Sequence, residues 1–488
     1  FRGGGAPSGL AALFGGGGSG PSNTALVNFS IVKLPEEPMM GRLYDDRVGY
    51  FSESFTEFGS DEHRALSRRY IARYRLEKKD PNAALSEPVE PIVYYLAPEV
   101  PEKWRSYVKQ GVEDWQVAFE AAGFKNAIIA KDPMDDPDWD PEDARFSVIR
   151  WAPTATENAM GPHYHDPRSG EIISAHIIMW HNILNLLTKW YYSQASASDP
   201  RAQQIPFPDD LMGELVRYVT AHEVGHTLGL QHNFKASSSY TIEQLRDPEW
   251  TNKWGVESSI MDYGRFNYVA QPEDGARLIP KVAQYDLFAI KWGYMPIDGV
   301  EKAADEFSVL DALAAKQVDD PHIRFSTPGT PDPSSQTEDL GDDAVEATRL
   351  GMRNMDRIME TFVDAVGIKG EDYSRLSEFY GNMWFQRNLE LNHTAAIVGG
   401  VTAINYHIGR GGDKYTPVSR ERQKAAVRLL IDECFETPQS MVREDVMKLL
   451  NPTMIENRVA TSQNRVLGSL LSNTKVANMI KLESEYGR

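Results

Sequence analysis

The chain has 488 residues, which at roughly 100 to 200 residues per domain allows about three folded units around a substantial core. Hydrophobic residues make up 41% and charged residues 25%, as in an ordinary globular protein, and no run of about 18 uninterrupted apolar residues occurs, which excludes a membrane-spanning helix. With 51 Lys+Arg against 70 Asp+Glu, the formal net charge of −19 repels a phosphate backbone or an anionic lipid surface, so nucleic acid and membrane surfaces are set aside as partners.

Residues 1–24 carry nine glycines in their first twenty positions, and the entropy lost on ordering such a segment makes it a flexible leader. It has no basic stretch followed by an apolar one, so no targeting signal is legible. An N-terminal extension, 25–90, mixes short apolar runs with turn signals; its arginine-rich stretch Glu62–Arg75 suits either a helix or a hairpin arm. From residue 91 the pattern sharpens. Ile92–Leu96 reads as a strand, and Pro101–Gly123 as one long amphipathic helix with Trp104, Val108, Val112, Trp115 and Phe119 at helical spacing. Asn126–Ala130 and Arg145–Trp151 are further strands. Between them, Lys131–Asp143 packs seven acidic residues among three prolines, a solvated loop with calcium binding as the alternative, although EF-hand spacing is missing.

Ile172–Trp180 is β-branched and apolar enough for a strand, after a turn at Asp166–Gly170. Residues 209–230 read as one helix, opened by Pro208-Asp209-Asp210 and closed at Gly229. Beyond 295 helical periodicity replaces strand patterns, in Asp343–Val366, Tyr373–Ile397, Arg420–Phe435, Ser440–Leu450 and Thr461–Leu482. Residues 299–488 are therefore expected to form an α-helical C-terminal domain. The one cysteine, Cys434, rules out an internal disulfide and a thiolate zinc cluster, so a metal must be held by His, Asp, Glu or Tyr.

The informative segment is Thr220–Phe234, TAHEVGHTLGLQHNF. On a helix, His222 and His226 lie one turn apart on one face, so both imidazoles reach a single cation. Glu223 sits beside them, about 100° round the axis, where it meets a water on the cation rather than the cation itself. Gly229 permits a sharp turn that brings His232 back as a third ligand. Three neutral imidazoles plus one open position make zinc (Zn2+) catalytic rather than structural. A lone His-x-x-x-His pair is common without a metal; five fixed positions, His222, Glu223, His226, Gly229 and His232, are not.

This segment resembles the metzincin clan of zinc peptidases at every position of the clan's extended motif, His222-Glu223-x-x-His226-x-x-Gly229-x-x-His232. The clan's methionine turn has a counterpart in Ser258–Gly264 (SSIMDYG), with Met261 placed 29 residues after His232, although a methionine there also serves as core filler. The resemblance covers roughly residues 91–295 and implies a catalytic domain at 91–298 of α/β zincin fold: a mixed, mostly parallel sheet with an antiparallel edge strand, the active-site helix below it, and a less regular half after His232. Ile172–Trp180 falls where metzincins carry the edge strand that pairs with substrate, so Ser174, Ala175, His176 and Ile177 are the expected substrate-binding residues. Tyr285–Tyr294 looks like the clan's last helix. Within the clan the likeness is to a bacterial family of zinc-dependent peptidases described through domains of unknown function, in which segments such as Val32–Phe51 precede the protease unit. Asn233 departs from the Glu of astacins and the Asp of adamalysins, so their specificity rules do not carry over.

The resemblance implies a zinc metalloendopeptidase, secreted, periplasmic or outer-membrane-associated in a bacterium, acting on a peptide or protein substrate. Zinc on His222, His226 and His232 would lower the pKa of a bound water, and Glu223 would take its proton as general base. Tyr263, two residues after Met261 as in the astacin-like arrangement, would reach the metal and the transition state; a buried aromatic is the plainer role. Arg265 and Phe266 are candidates for a pocket wall, and Asp262 for a turn residue. His163, His165 and His181 flank the expected edge strand and are surface or hydrogen-bonded histidines, or a second ion site. Two other functions fit the sequence: a partner-binding or assembly protein with a residual zinc site, against which the intact Glu223 argues, and a zinc amidase acting on cell-wall peptides. Oligomeric state is not legible.

Overall fold

In the computed structural model, residues 29–59, 63–327 and 332–486 are described; the expected leader, 1–24, lies outside them. The arginine-rich stretch is a hairpin arm: β1 (Ser52–Glu57) pairs antiparallel with β2 (Leu66–Ile71). The runs anticipated between 91 and 180 become β3 (Ile92–Leu96), β4 (Ile128–Lys131), β5 (Ser147–Ala152) and β8 (Ile172–Trp180), joined by two short strands, β6 (Ala159–Met160) and β7 (His163–His165). The order is β4-β3-β5-β8-β6, with β7 also on β8. Pairings from β4 to β8 are parallel, whereas β6 and β7 run antiparallel to β8. A mixed, mostly parallel sheet is thus present, but Ile172–Trp180 is not its edge.

The helix expected over Pro101–Gly123 is two: α1 (Glu102–Glu113) and α2 (Gln116–Ala121). The break turns Trp115 inward, where its indole N–H donates to the Ala221 carbonyl at 2.9 Å. After α3 (Ile183–Ala195) comes the helix of the histidine motif, α4 (Asp209–Thr227), buried on most of its surface. Small residues let α1 press against it, because a Cβ on Gly111 would lie 2.7 Å from the Arg217 carbonyl oxygen.

The N-terminal extension is woven into this unit rather than hung on it. Phe51 N–H donates to the Gly229 carbonyl at 2.8 Å, and Gln231 N–H to that of Gly49 at 2.8 Å. The Arg42–Glu306 ion pair is buried, with side chains 3% and 1% exposed. Buried pairs of this kind lose heavily if one partner is removed, so the extension is tied to the segment after residue 298.

The longer helices that follow are α5 (Gln284–Tyr294), α6 (Ala344–Val366), α7 (Ser374–Ile397), α8 (Arg420–Leu430), α9 (Pro452–Leu470) and α10 (Asn473–Tyr486). Several bounds differ from the periodicity. A two-strand ladder, β9 (Val401–Ala403) with β10 (Tyr415–Pro417), interrupts the helices. Only Glu444–Met447 is helical within Ser440–Leu450. The final stretch starts earlier, at Pro452, because Asn451 caps Thr453 N–H and proline suits a first helical position. These helices share a small apolar cluster of their own around Ala344, Ile397, Val418 and Leu429, but most of their buried face joins the rest of the chain. One buried apolar cluster runs from Val48 to Val466, Tyr192 packs edge-on against Phe379 at 5.7 Å, and Asn382 Nδ2 donates to the Lys189 carbonyl at 2.8 Å. The hydrophobic core does not divide at residue 298.

Candidate active site

Helix α4 carries His222 and His226 on one face, with ring centroids 4.9 Å apart. At Gly229 (φ 98°) the chain reverses. A side chain is excluded there twice over, by the left-handed backbone and because a Cβ would lie 2.0 Å from the Ala72 carbonyl oxygen. His232 returns so that its Nε2 stands 3.3 Å from Nε2 of His222 and 2.9 Å from Nε2 of His226. The outer nitrogens are engaged: His222 Nδ1 donates to the Ile260 carbonyl at 2.7 Å and His226 Nδ1 to that of Leu230 at 2.8 Å. These bonds fix the tautomers, leaving lone pairs on both Nε2 atoms aimed at the same point.

Burial drives the His226 pKa down to about 4, that of His232 to about 3, and that of His222 well below the usual value. All three rings are therefore neutral near pH 7, the form that ligates metals. Converging lone pairs repel each other unless a cation lies between them, so the donor set fits zinc, which His222, His226 and His232 would hold.

The methionine turn closes the site from beneath. Met261 is fully buried, and its sulfur packs on α4 between the two helical histidines, where a Cβ on Gly225 would lie 2.2 Å from Sδ. Asp286 of α5 holds the turn by accepting from Ser259 Oγ at 2.6 Å and Ile260 N–H at 2.9 Å. Ile260 is also the residue whose carbonyl fixes His222. Asn233, which follows the third histidine, bonds Met261 O through its own N–H at 3.1 Å and Arg324 O through Nδ2 at 2.9 Å. It pins the turn and the 324–326 segment together, a structural task rather than a specificity one.

Glu223 faces a cleft of about 560 Å³ lined by Phe51, Asn158–Pro162, Gln231, Tyr263 and Thr327 together with His226 and His232. Burial pushes its pKa up to about 8, opposed by a hydrogen bond from Gly161 N–H. Tyr263 lies against the histidines, its ring centroid 4.3 Å from that of His232 and 5.5 Å from that of His222.

A family model described as Met-zincin matches residues 204–488, more than half of the chain. The chain belongs to the Met-zincin family. A second model, a domain of unknown function, matches residues 12–79. No curated protein and no solved structure matches. Membership supports a zinc metallopeptidase in general, and the match spans both the histidine motif and the helices after residue 343, as the largest apolar cluster does.

The structure relocates one expected group. Ser174, Ala175, His176 and Ile177 of β8 do not face the cleft as a free edge, because Ser174 and Ala175 pair with Tyr164 and His163 of β7, while His176 N–H donates to the Pro162 carbonyl at 3.1 Å. Ile177 is fully buried. The hydrogen-bonding edge that β8 would have offered is covered, and the antiparallel segment Asn158–Pro162 rims the cleft instead. Phe266 is likewise no wall; it is wholly buried among Tyr191 and Tyr218.

His163 and His165 lie ring to ring at 5.6 Å while His181 stands apart: His165 meets Glu53, His163 lies beside Phe51, and His181 accepts from the Trp151 indole. Neither they nor the carboxylates of Lys131–Asp143 form a metal-ligand group among the described residues. Phe51, Gly161 and Thr327 line the cleft without having been legible. The Gly161-Pro162 dipeptide is a turn signal, which hides a two-residue strand; Phe51 and Thr327 arrive from distant sequence and leave no local trace.

Proposed function

We propose that the chain is a zinc-dependent endopeptidase that cuts a peptide segment laid in extended form along Asn158–Pro162. What carries the proposal is the Glu223 carboxyl, one residue from His222, opening into the same cleft as the converging imidazoles. Among the described residues β6 has a partner only on its β8 side, so a substrate strand can add to the other, with backbone hydrogen bonds giving affinity and side-chain pockets giving choice.

Zinc, when bound, supplies a Lewis acid that acidifies water and polarises the scissile carbonyl. With zinc bound, the positive charge would favour the ionised, basic form of the Glu223 carboxyl. Glu223 then accepts a proton from the attacking water as the new C–O bond forms, and returns it to the amine nitrogen as the C–N bond breaks. Gly161 N–H holds the carboxyl toward the rim. Tyr263 donates a hydrogen bond to the carbonyl oxygen as negative charge develops on it. Digesting a peptide library in parallel with wild type and Glu223→Ala, and sequencing the products, tests the proposal. Internal cuts made by wild type alone and abolished by a chelator support it, whereas cuts that persist in Glu223→Ala refute the assignment of the base.

A further inference from the structure

Two residues beside the cleft adopt left-handed backbone without being glycine: Arg265 (φ 61°) and Glu338 (φ 62°). Such conformations cost free energy at each position, persist only where the surroundings enforce them, and cluster at functional sites. Here the two strained residues are partners. Arg265 Nη2 meets Glu338 Oε1 at 2.9 Å, with side chains 11% and 9% exposed. The pairing is one-pronged, since Arg265 Nε and Glu338 Oε2 are buried without hydrogen-bond partners. A carboxylate and a guanidinium with no other duty would close the second prong, because bidentate contact is the stronger geometry.

What the guanidinium gains in this orientation is two aromatic rings. Its central carbon lies 3.3 Å from the centroid of Trp190 and 4.9 Å from that of Tyr263. Tyr263 is in turn stacked on His222, 25° from parallel, with Phe234 edge-on at 5.7 Å. Its ring is thus held by histidines and Phe234 together with a cation fixed by Glu338 and Trp190. Backbone strain and two unsatisfied polar atoms converge on one result, a guanidinium that cannot leave the neighbourhood of Tyr263.

We propose that Arg265, locked by Glu338 and Trp190, is a positioning residue for Tyr263, setting the phenol where it meets the scissile carbonyl. Arg265 does not line the cleft and touches no substrate. The inference rests on the peptidase reading, in which Tyr263 donates to the developing oxyanion. An interaction realised mainly in the transition state affects kcat rather than KM.

The test is a double-mutant cycle on the full, zinc-loaded chain, with kcat and KM on a fluorogenic peptide, zinc content, and Tm with and without zinc. Arg265→Gly is the informative variant, since glycine accepts the left-handed backbone freely, which offsets part of the cost of leaving Glu338 buried without its cation. It should lower kcat by about 10- to 100-fold with KM within about twofold and zinc content unchanged, while Tm falls because Glu338 is left buried without its cation but stays above the assay temperature. Arg265→Lys keeps the charge but not the planar stack, and should recover only part of the loss. In a Tyr263→Phe background, Arg265→Gly should cost little further, because its effect passes through the hydroxyl. Losses that multiply in the double variant overturn the inference, as does Arg265→Gly with wild-type kcat, or one whose lower activity is accounted for by lower zinc content or a smaller folded fraction at the assay temperature. Absence of zinc-dependent cleavage by wild type would overturn the peptidase reading and this inference with it.

Discussion

Gly161 lies where the rim of the cleft crosses the active-site helix, and replacing it by alanine tests whether that crossing sets catalysis. A Cβ there would stand 2.4 Å from the Glu223 carbonyl oxygen and 3.3 Å from Glu223 Oε2. The obstructing oxygen belongs to the backbone of α4, which is buried on most of its surface and cannot yield, so the rim must move. Restoring ordinary contact requires about 1 Å of separation, a displacement of the size that costs on the order of 10² in rate when it misplaces a reacting group. The expected loss in kcat/KM is therefore about 10²-fold, or about 2.7 kcal/mol of transition-state stabilisation. Stability should fall less, toward the lower end of the ~1–3 kcal/mol typical of overpacking, because a two-residue edge strand absorbs the shift. The assay is hydrolysis of a fluorogenic peptide, with zinc content and Tm measured in parallel. Gly59→Ala, where a Cβ meets nothing within 4 Å, serves as the control and should leave rate and stability unchanged. If Gly161→Ala cleaves as fast as wild type, the segment Asn158–Pro162 does not position the reaction.

Glu223→Gln keeps the size of the side chain and removes the base, so turnover should drop by about 10² to 10⁴ with zinc retained; unchanged turnover would assign the proton transfer to another group. A chelator should abolish hydrolysis and lower Tm, since a ligand that binds only the folded chain stabilises it, and added zinc should restore both; activity surviving metal removal would contradict the site. Burial lifts the Asp339 pKa to about 7, above the value of about 3.9 expected when unfolded. The folded chain then binds more protons than the unfolded one between those values, so stability is lost as pH rises from about 4 to about 7 and stays lost above. Asp339→Asn still accepts from Ser237 Oγ, the 2.8 Å partner of the native carboxyl, and should raise Tm clearly at about pH 8 but little at about pH 4; equal shifts at both would refute the argument. Ending the chain at residue 298 should give aggregation rather than an active fragment, because Tyr192 and its neighbours would lose Phe362 and Phe379; a soluble, folded fragment would show that the shared core is dispensable.

The convergence of His222, His226 and His232 was legible in the amino-acid order alone. The four-residue interval between His222 and His226 follows from helical geometry, and the glycine at 229 follows from a left-handed turn, so the ligand set could be read from one short segment. Met261 was legible for the same reason, as part of a compact turn. The strands Ile92–Leu96 and Ile172–Trp180 were also visible, because burial on both faces leaves an apolar run.

Tertiary structure decided which strand is the edge. Composition cannot tell a covered strand from an open one, and the covering strands, of two and three residues, are too short to leave a period. It also decided that Phe51 from the extension and Thr327 from beyond the methionine turn meet at the cleft, and that Arg265 and Glu338, 73 positions apart in sequence, share one strained contact. The helices after residue 343 looked separable because periodicity reports that a face is buried, not what buries it. The helices bury part of that face on one another and part on α3, where packing of Tyr192 against Phe362 and Phe379 joins them to the larger core.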